Sequence, residues 1–334
     1  MLYSIYPTDE LDTREEVLNQ AGSGLVFTSL HIPEAGLGSY VEYLRAAHRR
    51  GFTFCADISP LALEKLGIGI GELGRLREVG VELLRIDFGF SSDEIRLIAG
   101  QIPIAVNAST VSETELDGLA EFRPVGWHNY YPRPETGLSA DFYVSQCRMF
   151  TERGLELYSF IPGERSFRAP LHLGLPTLEV QRYRNAYANY LELARLVPQA
   201  RIVCAEGALL ARHLEWIRAF ETGVLTLPLV EIAPNAEFLL EGTWRIRVDQ
   251  ADASWRLEGS RSNRTPQILN ASVRERGSIQ MDLPSIGRYQ GEIHIMRRDL
   301  ALSQWQARVA RIASPYVDLV DAVVAGGEVR FVRF

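Results

Sequence analysis

The feature that most constrains the fold is a regular alternation of β-type runs with helix-like segments over residues 1–206. Eight such repeats over about 200–250 residues are typical of a closed (β/α)8, or TIM, barrel in the α/β class. The predicted strands are Leu2–Pro7, Leu25–Ile32, Phe52–Ser59, Glu82–Gly89, Ile102–Ser109, Val125–Tyr131, Leu155–Pro162 and Arg201–Glu206. The helix-like segments between them include Gly38–Arg50, Ile70–Val79, Ser112–Glu121, Ser139–Arg153 and Glu179–Leu196.

A doubly wound open sheet also alternates strands with helices, but it ordinarily has a glycine-rich phosphate turn after its first strand. Here the first strand leads into Tyr6-Pro7-Thr8-Asp9-Glu10, which contains no glycine. In the fourth strand Leu83, Arg85 and Asp87 share one face, which becomes polar only toward the C-terminal end of the strand. Active sites of TIM barrels lie at that end. The pattern therefore favours a barrel and indicates where its site lies.

The pattern changes after Pro234, where short β-type runs follow one another without long helical segments. Strands are predicted at Thr243–Asp249, Ser254–Leu257, Ile268–Arg274, Ser278–Leu283, Gly291–Met296 and Glu328–Phe334. Runs of this kind, separated by Gly, Ser, Asn and Pro, indicate a small all-β barrel or sandwich. We therefore predict a barrel domain over residues 1–234 and a β domain over residues 235–334.

Composition excludes several classes of function. With 35 Lys+Arg against 42 Asp+Glu, the net charge of −7 disfavours nucleic acid as a partner. Lys65 is the only lysine, which makes Schiff-base chemistry improbable. Cys55, Cys147 and Cys204 lack CxxC spacing and predict neither disulfides nor a zinc site. We find neither a signal peptide nor an apolar run of membrane-spanning length, and expect a cytoplasmic protein.

Several carboxylates fall at predicted strand ends, and we expect them to meet at the barrel mouth. Glycoside hydrolysis uses two carboxyl groups, one donating a proton and the other attacking or stabilising the sugar. We predict Asp87 and Glu206 as this pair, with Asp57 in reserve. Arg85 would keep Asp87 ionised, although a purely structural Arg85–Asp87 ion pair is the alternative. Polar groups suited to sugar hydroxyls follow other strands, namely His31, Glu34, Arg85, Asn107, His128, Asn129 and Tyr131.

The loops after the sixth and seventh strands carry basic and polar side chains, which suggests that the substrate is anionic. The candidates are Arg133, Thr136, Arg168, Glu179 and Arg182. The alternative is a solvated loop whose arginines pair with Glu135, Glu164 and Glu179. No HxH or HExxH spacing occurs, so we expect neither a metal nor a cofactor. His48, His213 and His294 are interpreted as structural.

Several motifs together resemble those of the MupG-like family of 6-phospho-N-acetylmuramidases, in order and over almost the whole chain. These motifs are residues 27–34 (FTSLHIPE), 57–60 (DISP), 84–90 (LRIDFGF), 107–110 (NAST), 128–139, 174–179 (GLPTLE), 261–264 (RSNR) and 287–293 (GRYQGEI). The resemblance implies a TIM barrel followed by a cyclophilin-like domain. It also implies cleavage of the β-1,4 bond of 6-phospho-MurNAc–GlcNAc during cell-wall recycling.

The chain departs from the family pattern at three places. It has Arg168-Ala169-Pro170 where relatives have Arg-Gly-Pro, Gln181-Arg182 where they have His-Arg, and Ala205-Glu206 where they have Gly-Asp. These changes leave a related saccharide open as the substrate.

Two other functions remain compatible with the residues. One is a non-catalytic protein that binds carbohydrate or peptidoglycan fragments. The other is a metal-dependent sugar isomerase or lyase, with His31 or His128 joined by Asp57 or Glu206 on one ion. In the leading interpretation the partner is a small saccharide, with neither nucleic acid nor membrane involved, and the sequence leaves the oligomeric state undefined.

Overall fold

The computed structural model describes residues 1–30, 37–265 and 267–334. The chain divides into two compact units, Met1–Leu210 and Ala211–Phe334. Among the described helices, none has the length and apolar character needed to cross a membrane.

The first unit is a closed barrel in which each strand pairs in parallel with the next and the eighth returns to the first. The predicted barrel is therefore confirmed. Its strands are β1 (Leu2–Ser4), β2 (Gly24–Ser29), β3 (Phe52–Ile58), β4 (Val81–Ile86), β5 (Ile104–Asn107), β6 (Val125–Trp127), β7 (Leu157–Ile161) and β8 (Arg201–Cys204). Its helices are α1 (Leu11–Ala21), α2 (Leu37–His48), α3 (Pro60–Leu66), α4 (Gly74–Arg77), α5 (Ser92–Ala99), α6 (Glu113–Asp117), α7 (Ala140–Thr151) and α8 (Ala186–Leu196). Short 3-10 turns are Ile70–Glu72, Ala120–Phe122 and Glu179–Gln181.

Aromatic side chains fill the interior of the barrel. Alternate residues of a strand point inward, and those of β6 and β7 include Trp127, Tyr158 and Phe160. Trp127 stacks on Tyr158 with centroids 4.2 Å apart and planes 6° apart, and Phe27 meets Phe160 edge-on at 5.2 Å. The interior is thus a packed core, and polar chemistry is left to the ends of the strands.

Two helices of the barrel begin with a capping box close after their strands. Ser91 accepts the backbone N–H of Glu94, whose carboxylate accepts the N–H of Ser91 at 2.7 Å, just before α5. Ser112 and Glu115 repeat the arrangement before α6. Each box satisfies backbone N–H groups that the first helical turn leaves unpaired. These helix starts fix the loops that follow β4 and β5.

The second unit contains a seven-stranded sheet in the order β10-β15-β9-β14-β12-β13-β11. Its elements are α9 (Ala211–Glu221), β9 (Val224–Val230), β10 (Trp244–Arg245), β11 (Ser254–Arg256), β12 (Ser278–Asp282), β13 (Ile293–Met296), β14 (Gln306–Ile312) and β15 (Glu328–Arg333). Short 3-10 segments are Glu237–Leu240, Pro284–Tyr289 and Ser314–Ala322. β9 and β15 pair in parallel, whereas the other neighbours pair antiparallel. The predicted all-β domain is confirmed as a separate sheet.

Individual strands of this unit differ from the prediction. The sheet includes β9, which lies before the predicted boundary at residue 234, because β9 pairs with β14 and β15. β14 was not predicted from the sequence, since its two arginines interrupt the apolar run. The predicted strand Ile268–Arg274 is irregular and makes a single isolated bridge, from Arg274 to Leu300. This segment makes separate backbone hydrogen bonds to its neighbours and does not form a continuous β-ladder.

Candidate active site

A buried ion pair joins the C-terminal ends of β3 and β4. Arg85 Nη1 lies 2.8 Å from Asp57 Oδ1, and both side chains are almost fully buried. Arg85 also donates to the carbonyl of Trp127 at 3.3 Å and to the side-chain oxygen of Asn129. Burial alone would lower the pKa of the Arg85 guanidinium, but the Asp57 carboxylate raises it above its usual value. The structure thus brings together three residues that the sequence singled out.

A second polar cluster surrounds Arg168, which lies in the loop after β7. Arg168 Nη1 donates to the Tyr130 hydroxyl at 2.8 Å, and its guanidinium lies 4.3 Å from the ring centroid of Tyr6. The Tyr6 hydroxyl donates to the carbonyl of Ala205 at 2.7 Å, which holds the ring in place. A cation over an aromatic face is stabilised by the ring quadrupole. The two tyrosines, which sequence reasoning did not select, therefore position the predicted arginine.

Glu206 is almost inaccessible to solvent, with 1% of its surface exposed. Its Oε1 accepts the N–H groups of Gly163 at 3.3 Å and Leu175 at 3.2 Å. Burial raises the pKa of this carboxyl well above its usual value, although the two backbone N–H groups act in the opposite direction. The backbone packs tightly here, since a Cβ on Gly163 would lie 1.7 Å from the Glu206 carbonyl oxygen. Glu206 thus fastens the loop after β7 to the end of β8.

Asp9, in the loop after β1, was not selected from the sequence. Its Oδ2 accepts the N–H of Tyr6 at 2.7 Å, and the residue is half-buried. Burial raises the pKa of Asp9 to about 6, although the N–H of Tyr6 and the Arg168 charge act in the opposite direction. The sequence signal for Asp9 is its position in the turn directly after a barrel strand. Asp9 is therefore a carboxyl group at the strand ends that titrates near pH 6.

Asp87 and Asn107 lie on the wall of a groove of about 460 Å³ between α5 and α6. Asp87 is half-buried, and no side-chain hydrogen bond to it is found among the described residues. Asn107 Oδ1 accepts the N–H of Ser109 at 3.1 Å. Much of the remaining groove wall is apolar, with Ile86, Ile95, Val106, Val111 and Leu119. Asp87 is thus separate in its contacts from the Asp57–Arg85 pair, although its charge acts on Arg85.

His128 is fully buried behind the barrel wall and does not reach the mouth. Its Nδ1 lies 3.0 Å from the Ser109 hydroxyl and its Nε2 lies 3.3 Å from Cys147 Sγ on α7. Because Trp127 points inward, the next residue along the chain points outward toward the helices. Burial lowers the pKa of His128 to about 3, so the ring is neutral. The described contacts of His128 are thus internal to the protein, and substrate binding by His128 stays a prediction.

Glu179 and Arg182 lock two loops together instead of facing a ligand. Arg182 is buried and donates to the carbonyls of Tyr131 at 2.7 Å, Gly174 at 2.8 Å and Arg133 at 3.1 Å. It also forms a fork with Glu179, whose carboxylate accepts two further N–H groups of residues 135 and 137. The Arg182 hydrogen bonds lower the pKa of Glu179 to about 2. The described contacts of these two residues therefore fix the loops, and their predicted substrate contacts stay predictions.

The remaining predicted residues lie in or near the same loops. Tyr131 takes part through its backbone, and the Thr136 hydroxyl donates to the carbonyl of Arg133 at 2.6 Å. The Arg133 side chain is exposed, whereas Arg165 pairs with Glu16 at 2.5 Å. His31 and Glu34 lie outside the described residues.

Comparison with known proteins gives the following matches. A family model described as 6-phospho-N-acetylmuramidase, N-terminal, matches residues 3–218, and the corresponding C-terminal model matches residues 227–332. No curated protein matches the chain significantly.

Two solved structures are similar to the chain over its full length. A conserved Enterococcus faecalis protein with an unknown function is 29% identical, with a TM-score of 0.84 and coverage of 100% of this chain and 96% of its own. An uncharacterized B. cereus protein is 20% identical, with a TM-score of 0.77 and coverage of 99% of both chains. At 20% identity, the similarity to the B. cereus protein shows only that the two chains share a fold.

Two substitutions at Glu206 separate its hydrogen bonds from its charge. Glu206→Gln keeps an acceptor for both N–H groups and removes the titration. Because a raised pKa makes the parent lose stability as pH rises above the unfolded value of about 4.3, the Gln variant should gain stability relative to the parent between pH 4 and pH 8.

Glu206→Ala leaves two buried N–H groups unpaired and should lose about 2–4 kcal/mol of folding stability. Denaturant midpoints of the parent and both variants at pH 4 and pH 8 measure these effects, and a Gln variant that loses stability relative to the parent as pH rises would contradict the first.

Proposed function

Because the chain belongs to the MupG family of 6-phospho-N-acetylmuramidases, which are glycosidases, we propose that it hydrolyses a disaccharide of 6-phosphorylated muramic acid. The proposed scissile bond is the β-1,4 linkage to N-acetylglucosamine. A phosphorylated sugar does not cross membranes unaided, so we further propose that the reaction serves cell-wall recycling in the cytoplasm.

The observation that carries this proposal is the contrast between two carboxyl groups near the Tyr6–Arg168–Tyr130 cluster. Asp57 forms an ion pair with Arg85, whereas burial raises the pKa of Asp9 to about 6. Groups whose environments push their pKa values apart are suited to separate acid and charge-stabilising roles. Both act electrostatically on this cluster, Asp57 on Tyr130 and Asp9 on Arg168.

We assign the acid role to Asp9 and the stabilising role to Asp57. In this assignment Asp9 donates its proton to the glycosidic oxygen as the bond to the anomeric carbon breaks. The Asp57 carboxylate stabilises the positive charge that develops on the sugar ring, or attacks it, and water completes the hydrolysis. The sequence pointed to Glu206 and Asp87 instead. Glu206 is enclosed by backbone, and Asp87 lies on the groove wall beside α5, so both are less suited to these roles.

We assign the sugar phosphate to Arg168. Its guanidinium is held over Tyr6 and against Tyr130, and only one of its N–H groups is used in a described hydrogen bond. The other N–H groups form a fork suited to phosphate oxygens. Arg182, with all its contacts inside the protein, is not part of this assignment. We also propose that the second unit is a cyclophilin-like domain.

Replacement of Arg168 tests the phosphate assignment. Arg168→Ala removes one charge-assisted contact of about 1.5–3 kcal/mol, so KM for the phosphorylated disaccharide should rise roughly ten- to a hundredfold. KM for the unphosphorylated disaccharide should hardly change. Arg165→Ala is the matched control, because Arg165 lies in the same loop and pairs with Glu16. Equal losses on both substrates in Arg168→Ala would refute the assignment.

Replacement of Asp57 and Asp87 by Asn distinguishes the two candidate stabilisers. We expect Asp57→Asn to lose at least ~10³-fold in kcat, because the charge opposite the developing cation is removed. Asp87→Asn should retain near-normal turnover. Initial-rate kinetics with the phosphorylated disaccharide measure both.

Because Asp57→Asn leaves the buried Arg85 charge without its carboxylate, folding needs a separate control. The double variant Asp57→Asn/Arg85→Met removes both charges and should fold while staying inactive. If Asp87→Asn loses turnover while either Asp57 variant stays active, the charge-stabilising role belongs to Asp87 instead of Asp57. Binding without turnover in the parent protein would favour a carbohydrate-binding protein.

The pH dependence of kcat/KM tests the acid role of Asp9. A general acid must be protonated, so kcat/KM of the parent should fall as pH rises through about 6. Asp9→Asn should lose about 10²–10⁴-fold in kcat and should no longer show this alkaline limb. Asp12→Asn, on the neighbouring α1, is the matched control and should keep the parental profile. An unchanged limb in Asp9→Asn would assign the proton donor elsewhere.

A further inference from the structure

A buried polar face of the second unit brings together three side chains that commonly bind metals. The β12–β13 hairpin pairs Gln280 with His294, and the N–H of Asp282 donates to the carbonyl of Glu292 at 2.9 Å. Because alternate residues share a face, Asp282, Glu292 and His294 lie on one side of the sheet, and Ile279 lies on the other. Asp282 and Glu292 are each 3% exposed and His294 is 8% exposed.

The geometry of this cluster fits a shared cation. One possible ligand atom on each of the three residues lies within 4.8 Å of the others. His294 Nε2 is 3.3 Å from Asp282 Oδ1, yet within the described residues it has no hydrogen-bond partner. The ring nitrogen is therefore not aligned for a hydrogen bond to that oxygen. Two ligands bonded at about 2.0–2.1 Å in a tetrahedral site are separated by about 3.3–3.4 Å, which matches this pair.

Neighbouring groups hold each of these side chains in place. The Ser254 hydroxyl lies 3.1 Å from His294 Nδ1, Gln306 donates to Asp282 Oδ1 at 2.8 Å, and Arg261 lies 3.2 Å from Glu292 Oε1. Outer contacts of this kind fix the ring orientation of a metal-binding histidine and the position of its carboxylate neighbours. The cluster is therefore preorganised.

The charges around the cluster are incompletely balanced. Glu292 faces Arg261, and Arg247 lies 3.9 Å from it while pairing more closely with Asp249. Asp282 is contacted by the neutral Gln306 amide and by the ring of His294. A buried carboxylate is costly unless a positive charge compensates it. No arginine or lysine of the described residues forms an ion pair with Asp282, so a cation held between the three side chains supplies the missing positive charge.

We infer that Asp282, Glu292 and His294 form a site for a divalent transition-metal cation of the Zn²⁺ type. One imidazole and two carboxylates suit such ions better than Mg²⁺, which prefers oxygen ligands alone. Three protein ligands leave a fourth position for water. The site stabilises the β12–β13 hairpin and is independent of the glycosidase proposal. His294, for which the sequence predicts a structural role, is a metal ligand in this inference.

Zinc binding by the full-length protein tests this inference. The protein is stripped with a chelator, dialysed and titrated with Zn²⁺ by calorimetry, and its thermal midpoint is followed with increasing Zn²⁺. We expect one site of micromolar or higher affinity and a midpoint that rises with Zn²⁺, as for any ligand that binds the folded state. His294→Gln and Asp282→Asn should each weaken binding at least tenfold and remove the rise in midpoint. Mg²⁺ should substitute for Zn²⁺ in neither measurement.

The matched control is His172→Gln, because His172 is an exposed histidine of the barrel loop after β7. It should bind Zn²⁺ like the parent. If His294→Gln does not fold, Asp282→Asn carries the test alone. Absence of zinc binding in the parent overturns the inference, as does equal binding in the parent and Asp282→Asn or loss of binding in His172→Gln.

Discussion

The ion pair between Asp57 and Arg85 is the interaction on which the polar end of the barrel depends. Below it the interior is filled by aromatic rings, which offer a guanidinium no hydrogen bonds to carbonyl or carboxylate oxygens. Arg85 therefore obtains its acceptors at the rim, from Asp57, the Trp127 carbonyl and Asn129. Removing one partner of a buried pair is strongly destabilising because the other charge stays buried. The contacts of one side chain thus set the relative positions of three strand ends.

Burial, more than net charge, decides the ionisation of the carboxyl groups at this end. Asp9 and Glu206 both lie within electrostatic range of Arg168, yet burial raises the pKa of each above its usual value. The Arg168 cation is shared with two tyrosines and so compensates these carboxyls only in part. Glu179 shows the opposite case, since hydrogen bonds from Arg182 lower the pKa of Glu179 to about 2. The environments of this end of the barrel therefore push the pKa values of its carboxyl groups in opposite directions.

The alternation of strands and helices was sufficient to predict the barrel, and strand ends were sufficient to locate Asp57, Arg85 and Asn129. Pairing within the cluster was not predictable from one strand alone. Arg85 was expected to interact with Asp87, two residues along the same strand and about 6.6 Å away. The register of β3 and β4 instead sets Asp57 directly beside Arg85, where neighbouring strands lie about 4.8 Å apart. Cross-strand register depends on the closed barrel and is not encoded in a local pattern.

Three arginines of the barrel make contacts that a lysine could not reproduce. Arg182 contacts three carbonyls and a carboxylate from a single side chain, and Arg85 reaches acceptors on three elements. Arg168 places a flat cation on the face of Tyr6. A lysine ammonium, with three donors on a strongly hydrated point charge, reproduces neither the fork nor the stacking. Lys65, the only lysine, is exposed on α3, where neither property is needed. Multidentate arginine contacts of this kind fix the loops at the polar end of the barrel.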